Sequence, residues 1–108
     1  MVSIKRFDLF WIELDPAIGT EINKIRPCAV ISPEITNKHL GTIIIAPLTS
    51  TIRNYPTRIK CRVDNKAGEI ALDQLRAIDK SRLRKKMGEL DNKTAQAVCE
   101  ALAAFFEY

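Results

Sequence analysis

The chain has 108 residues, of which 46% are apolar and 28% are charged, with a net charge of +4 and a sequence pI near 9.1. This balance predicts one soluble domain over residues 1–108, and it excludes a membrane-spanning helix because no apolar run approaches the roughly 20 residues required. The start, MVSIKRFDLFW, has no apolar segment ending in a cleavage site, so we expect an unprocessed cytoplasmic protein. The positive charge favours an anionic partner only weakly.

The three cysteines are Cys28, Cys61 and Cys99, and no two of them form a C-x-x-C pair. An odd number of widely separated cysteines argues against a disulfide framework and against a zinc site. Each lies among apolar residues, so all three are expected to pack as small hydrophobic side chains.

Six strands are predicted from apolar runs that end at turn-forming residues. Their ranges are 7–14, 28–32, 42–48, 57–63, 69–75 and 83–87. The β-branched run 42–48 has the profile of a strand buried on both faces. Strand 57–63 alternates apolar and basic residues, and the turn residues 64–68 are expected to join it to strand 69–75 as a hairpin.

The C-terminal part of the chain changes to helical periodicity, with Asp91 as the predicted cap. The apolar face of this helix is expected to contain Ala95, Val98, Leu102 and Phe105 or Phe106. Short strands followed by one amphipathic helix predict a β-dominated α+β fold. A strongly bent antiparallel sheet or small barrel would pack against the helix.

Familiar catalytic patterns are absent from the sequence. It has no phosphate-binding glycine loop and no G-x-S-x-G motif, and its carboxylates lack metal-ligand spacing. His39, the only histidine, falls in a predicted loop and is more typical of a solvated side chain than of a catalyst. An enzyme with this sequence is therefore expected to work without a metal or another cofactor.

The segment GTEINKIRPCAVIS, residues 19–32, leads from a charged loop into a predicted strand. Pro27 disfavours helical geometry for Arg26, and the strand beyond constrains its backbone. A rigidly mounted guanidinium suits a phosphate, whose oxygens match its planar donors. The sequence equally allows a structural salt bridge from Arg26 to Glu21 or Asp73, so both interpretations stand.

Three other groups of polar side chains are candidates for binding an anion or a substrate. The basic run 80–86 is typical of a solvated face, whereas Arg58, Lys60 and Arg62 form a stripe in which like charges repel. Hydroxyl side chains at 49–51 directly follow a predicted buried strand, where they could be held against a substrate. Such hydroxyls also form ordinary hydrogen-bonded turns.

Four motifs in order resemble the MazF/PemK family of toxin endoribonucleases, and the resemblance as a whole covers nearly the entire chain. They are FDLFWIELDP, GTEINKIRPCAVIS, PLTS followed by Tyr55-Pro56, and DQLRAID at 73–79. Two departures are visible. Phe7 stands where the family usually has a glycine, and Ala71 stands where some PemK-like members have a second arginine.

The resemblance implies an SH3-like curved antiparallel barrel with a C-terminal helix, working as a homodimer. It implies metal-independent cleavage of single-stranded RNA at short sequences, giving a 2′,3′-cyclic phosphate and a 5′-OH. It also implies neutralisation by a cognate antitoxin whose acidic C-terminal segment covers the RNA groove. The catalytic arginine and threonine of the family fall on Arg26 and Thr49.

The resemblance also implies a substrate-contact role for Glu21. We expect further substrate contacts from Lys24, Ser50, Asp73 and Gln74. The sequence does not assign the group that accepts the 2′-OH proton, and Glu21 is a candidate for it. Because Ala71 replaces the second arginine of the PemK-like branch, Asp73 is not assigned a catalytic role.

Two other functions remain open on the sequence. A CcdB-like toxin that binds DNA gyrase would share the barrel but would not need an arginine aimed beside a threonine. A plain nucleic-acid-binding barrel is disfavoured by an aromatic content of 6%, because single-strand binders commonly stack bases on aromatic rings.

Overall fold

A computed structural model describes residues 3–108, which form seven strands and two helices. The strands are β1 (Asp8–Glu13), β2 (Ile25–Val30), β3 (Thr42–Thr49), β4 (Arg58–Val63), β5 (Lys66–Ala71), β6 (Arg76–Asp79) and β7 (Leu83–Glu89). The helices are α1 (Glu34–His39) and α2 (Asn92–Phe105). Met1 and Val2, part of the segment used above to argue against a leader, lie outside the described residues.

All strand pairs in the sheet are antiparallel, and the order is β4-β5-β3-β2-β1-β7 with β6 added on β3. Strand β3 pairs with β6 through its first half and with β5 through Leu48 and Thr49. The β1–β7 pairing contains two register shifts, which increase the local bend. The predicted β-dominated fold with a curved antiparallel sheet and a C-terminal helix is confirmed.

The central strands are buried on both faces over part of their length. Successive residues of a strand point to opposite sides, so Phe10 and Cys28 join one apolar cluster while Leu9 and Ala29 join another. Helix α2 covers the second cluster with Val98, which is fully buried. This two-sided burial fixes the register of the central strands, because a slip by one residue would exchange the two clusters.

Several strand boundaries differ from the prediction. Strand β2 begins at Ile25 and not at residue 28, so Arg26 lies within the sheet. The predicted strand 69–75 is wrong at both ends, since β5 is followed by a short 3₁₀ turn at Leu72–Gln74. The predicted hairpin is confirmed, with a two-residue turn in which Asp64 and Asn65 both have positive φ.

Two elements were not predicted from the sequence. Helix α1 contains His39 as its last residue, so the loop expected there is wrong, although the side chain is exposed as expected. The buried Asn37 amide donates to the nearby carbonyl of Ser32 and to the distant carbonyl of Ile4, and these two bonds hold the short helix. Strand β6 has only four residues, with one buried side chain, Ile78, and it forms by pairing with β3.

Helix α2 begins as predicted, because the Asp91 carboxylate accepts a hydrogen bond from the Thr94 amide at 2.7 Å. Its apolar face ends earlier than expected, since Phe105 and Phe106 are exposed. Cys99 is also exposed, which corrects its expected packing. No helix within residues 3–108 is long and apolar enough to cross a bilayer.

The prediction for strand 42–48 is right only in its second half. Ile45, Ala46, Pro47 and Leu48 are all buried, but Ile44 is 38% exposed. The second half of β3 is more buried because it pairs with β2 through residues 45–47 and with β5 through Leu48 and Thr49. Thr49 is the last residue of this second half.

Candidate active site

Arg26 and Thr49 line one pocket, of about 260 Å³, where β2 and β3 meet. The antiparallel ladder of β2 and β3 runs from Val30–Ile45 to Cys28–Pro47. Arg26 and Thr49 each lie two residues beyond its last pair, at the same end of the two strands. Ser50 and Trp11 line the same pocket. The structure therefore brings together the two residues expected to be catalytic and one of those expected to contact substrate.

The Arg26 side chain is held at one point. Its Nε donates to the carbonyl of Asn23 at 3.1 Å, and no carboxylate within residues 3–108 forms an ion pair with it. The salt-bridge interpretation is wrong for both expected partners. Glu21 accepts a hydrogen bond from the Ile18 amide at 2.5 Å, and Asp73 binds Arg58.

Thr49 is the last residue of β3, and its hydroxyl oxygen accepts a hydrogen bond from the Thr51 amide at 3.1 Å. This bond closes a hydrogen-bonded turn, which is one of the two roles expected for the hydroxyls at 49–51. Because Oγ1 is the acceptor, the hydroxyl proton of Thr49 stays available for a second partner. The turn and a ligand contact are therefore compatible.

Gly68 of β5 sets how closely the sheet approaches Thr49. A Cβ atom at Gly68 would lie 2.7 Å from the Thr49 carbonyl oxygen, closer than such atoms can come. The next residue, Glu69, is the direct sheet partner of Thr49. A glycine at this one position therefore permits the local packing that places Thr49 at the pocket.

Three of the other four predicted substrate residues line a second pocket, of about 360 Å³. Glu21, Asp73 and Gln74 line it together with Arg76. The Gln74 side-chain oxygen accepts a hydrogen bond from the Ile22 amide at 2.8 Å, which ties the segment before β2 to the 3₁₀ turn. Gln74 thus shapes this wall, and Glu21 lies in a different pocket from Arg26.

Lys24 lines neither pocket. Its backbone has a φ of +67°, and its amide donates to Asp15 at 3.0 Å. The conformation of this loop residue is therefore held by its backbone contact, while its side chain is exposed. It lies two residues before Arg26, at the entrance to β2.

The basic run 80–86 is not simply a solvated face. Arg84 forms a short ion pair with Glu13, and Lys86 Nζ lies 3.4 Å from the buried carboxylate of Asp8. Arg82 donates to the backbone carbonyls of Glu13 and Asp15. Arg84 and Lys86 thus fasten β7 to β1, and Arg82, just before β7, binds the end of β1 and the residues after it. The sequence interpretation of the run was therefore incomplete.

The basic stripe on β4 is also divided in the structure. Arg58 is 7% exposed and binds Asp73, whereas Lys60 and Arg62 are exposed. The Asp73 carboxylate and nearby charges raise the pKa of Arg58 further, so it stays protonated. The role of Arg58 was missed because nothing local in the sequence distinguishes it from its two neighbours.

The described residues contain no group of three or more His, Cys, Asp or Glu side chains arranged to hold a metal ion. Burial raises the pKa of the Cys28 thiol to about 12 and that of Cys61 to about 11. Neither thiol is therefore suited to act as a nucleophile near neutral pH.

Comparisons with known proteins agree with this architecture. The family model described as "PemK-like, MazF-like toxin of type II toxin-antitoxin system" matches residues 5–106. Endoribonuclease EndoA of Bacillus subtilis (strain 168) is 35% identical over 105 residues, which cover 92% of this chain and 90% of that protein. Endoribonuclease MazF of Staphylococcus saprophyticus is 33% identical over 106 residues, covering 92% of this chain and 88% of that protein.

A solved structure shows the same fold. The crystal structure of MazF (Form-I) from Deinococcus radiodurans matches with a TM-score of 0.87 and 24% identity, over 100% of both chains. The curved sheet with its C-terminal helix is thus the fold of a MazF protein. With the family model matching nearly the entire chain, the chain belongs to the PemK-like, MazF-like family of type II toxins.

Proposed function

We propose that this chain is the endoribonuclease toxin of a type II toxin–antitoxin pair, and that it cleaves single-stranded RNA at short sequences without a required metal. The observation that carries the proposal is the shared pocket of Arg26 and Thr49 at the ends of two paired strands. Support also comes from two relatives, each above 30% identity, that are named endoribonucleases.

The proposed chemistry uses the RNA as its own nucleophile. The 2′-oxygen attacks the adjacent phosphorus, the bond from phosphorus to the 5′-oxygen breaks, and the products carry a 2′,3′-cyclic phosphate and a 5′-OH. The 2′-OH loses its proton and the leaving 5′-oxygen gains one. The chain must hold the nucleotide for in-line attack and stabilise charge on the phosphoryl oxygens.

Arg26 and Thr49 suit the second task. Arginine stays protonated at any working pH, and its terminal nitrogens present a planar pair of donors to a phosphate. The Thr49 hydroxyl donates to a phosphoryl oxygen while its oxygen continues to accept from the Thr51 amide. Ser50, exposed at the same pocket, is proposed to contact the same phosphate or its neighbour.

Glu21, Lys24, Asp73 and Gln74 are proposed to flank the substrate. Glu21 and Gln74 line the second pocket, and Gln74 also holds the backbone of Ile22. Asp73 binds Arg58, so in this chain its carboxylate serves first to hold structure. Single-stranded RNA fits an open surface of this kind because its bases are free to turn outward.

We also propose that the protein is a homodimer whose activity is blocked by an antitoxin with an acidic C-terminal segment. Such a segment would compete with RNA for Arg26 and for exposed cations such as Lys24. Exposed apolar side chains at Leu40, Ile44 and Phe106 line a groove that a second copy would cover. Sedimentation of the purified chain at twice its 12.2 kDa mass would support the dimer, and a monomer at working concentration would contradict it.

The deciding experiment is cleavage of a long RNA in excess chelator, followed by analysis of the product ends. We expect cyclic phosphates with the wild type and their loss with Arg26→Ala. Arg6→Ala is a matched control, since Arg6 also donates its Nε to a backbone carbonyl and forms no ion pair within residues 3–108. Equal cleavage by both variants would reject the role of Arg26, and no cleavage of any RNA by the wild type would favour the gyrase-binding class.

A further inference from the structure

The segment 50–57 leaves the candidate site at Thr49 and returns to the sheet at Arg58. It forms no helix or strand, and residues 50–56 are exposed. Two large apolar side chains, Ile52 and Tyr55, are 46% and 49% exposed. A loop with this much exposed surface would be mobile unless side chains elsewhere held its backbone.

Glu69 holds the middle of this segment. Its two carboxylate oxygens accept hydrogen bonds from the amides of Arg53 at 3.0 Å and Asn54 at 3.1 Å, and its side chain is fully buried. Burial alone would raise the pKa of Glu69, but the two amides and nearby cations outweigh it, so the pKa is lowered. A buried carboxylate of this kind is maintained only where its oxygens are satisfied.

Arg58 holds the end of the segment. It donates from Nε and Nη2 to the two oxygens of Asp73 at 2.7 and 3.1 Å, and its Nη1 lies 3.7 Å from Glu69. The same guanidinium lies over the ring of Tyr55, 5.3 Å from its centroid. Asp73 also accepts from the Thr57 hydroxyl at 3.0 Å, so one connected network reaches from β5 to the loop.

The network acts next to the reacting groups. Glu69 is the sheet partner of Thr49, and Thr49 itself holds the first turn of the loop through the Thr51 amide. The ring of Tyr55 has Arg58 against one face and half of its surface exposed. An exposed aromatic ring on a fixed backbone is a platform on which an unpaired base can stack.

We infer that Glu69 and Arg58 are positioning residues that hold segment 50–57 as a preformed wall of the RNA site, with Tyr55 presented to an unpaired nucleobase near the scissile phosphate. The inference rests on the proposed RNA cleavage for its substrate, but the holding of the loop is a property of the free protein. Selection of the base would then depend on Tyr55 and the residues that hold its loop, and not on Arg26 and Thr49.

The first test is Glu69→Gln, which keeps the side-chain shape but removes the charge and one acceptor oxygen. Glu100→Gln, an exposed change on α2, is the matched control. We expect amide hydrogen exchange at Arg53 and Asn54 to quicken at least about 10-fold in the first variant only. Unchanged exchange at both amides in a folded variant would overturn the inference, and this readout needs no RNA.

The second test is Tyr55→Leu, which keeps apolar bulk at a half-exposed position and therefore leaves folding intact even if Glu69→Gln does not fold. On RNAs that differ in one base, we expect the ratio of cleavage rates at preferred and other sequences to fall on the order of 10-fold, mostly through KM. Arg26→Ala should instead lower cleavage at all sequences. An unchanged ratio in Tyr55→Leu would reject the stacking platform, whereas inactivity of the wild type would reject the proposed function and not the holding of the loop.

Discussion

Arg26, near the start of β2, and Thr49, at the end of the antiparallel strand β3, line a single pocket. The two residues are far apart in the sequence, so only the pairing of β2 with β3 brings them together. Because Arg26 is free of ion pairs within the described chain, its charge is available to a ligand. This relationship leads directly to a substitution test.

Replacing Arg26 should affect activity far more than stability. We expect Arg26→Ala to lower kcat/KM for RNA cleavage by about 100-fold or more, since it removes a charge aimed at the phosphate. Arg26→Lys should recover part of this loss, because it keeps the charge but not the planar fork. The free energy of unfolding, measured by urea denaturation, should fall by less than about 1 kcal/mol, because Arg26 is only partly buried and forms no ion pair within residues 3–108. A large loss of stability would mean that Arg26 is structural.

Gly68→Ala should displace Thr49. The added Cβ would lie 2.7 Å from the Thr49 carbonyl oxygen, and because that oxygen belongs to the backbone the strand itself must shift. We expect a loss of about 1–3 kcal/mol in the free energy of unfolding together with reduced cleavage. Gly41→Ala is the matched control, since its Cβ would meet no atom within 4 Å. Equal stability of the two variants would contradict the close approach seen here.

Thiol labelling should distinguish the three cysteines. Cys99 is exposed, Cys28 is buried with a pKa raised to about 12, and Cys61 is half-buried with a pKa raised to about 11. We expect iodoacetamide at pH 8 to label Cys99 quickly in the native protein, and all three thiols only after denaturation. Mass spectrometry of the labelled peptides measures this, and fast labelling of Cys28 would show that β2 is open in solution.

Stability should fall in acid because of Asp73 and Glu69. Hydrogen bonds from Arg58 and Thr57 hold the pKa of Asp73 below its usual value, and that of Glu69 is lowered as well. Both groups therefore bind more protons in the unfolded chain, so their contribution is complete above about pH 4.5 and is lost as pH falls through their folded-state pKa values. Urea unfolding between pH 3 and 7 should show this loss, with a shallower slope in Asp73→Asn. An unchanged slope in that variant would contradict the assignment.

Local patterns in the sequence were sufficient for much of the fold. Alternation and β-branched runs located six of the seven strands, and the Asp91 cap located the start of α2. The missed elements, α1 and β6, are short and form through contacts with distant residues, such as those of Asn37 and the pairing of β6 with β3. Propensity carries little information on elements that depend on such contacts.

For the candidate site, too, the sequence identified the residues but not their arrangement in space. The motif around Arg26 and the hydroxyls after β3 were visible because each follows or begins an apolar strand. Their meeting in one pocket, and the separation of Glu21 into another, follow from the register of β2 and β3 and from the hydrogen bond between Gln74 and Ile22. The register of a strand pair depends on which side chains are buried together, and this burial is determined by the packing of the whole sheet.

The sequence by itself determined the strand and helix periodicity, the cap at Asp91 and the position of Arg26 before a proline. Only the tertiary structure decided which of several similar cations stays free of a carboxylate. Arg58 forms an ion pair with Asp73 and lies beside Glu69. In β7, Arg84 binds Glu13 and Lys86 binds Asp8. All arginine side chains carry the same guanidinium group, so the sequence does not distinguish them. Which carboxylate each one binds depends on distances that are set only by the folded sheet.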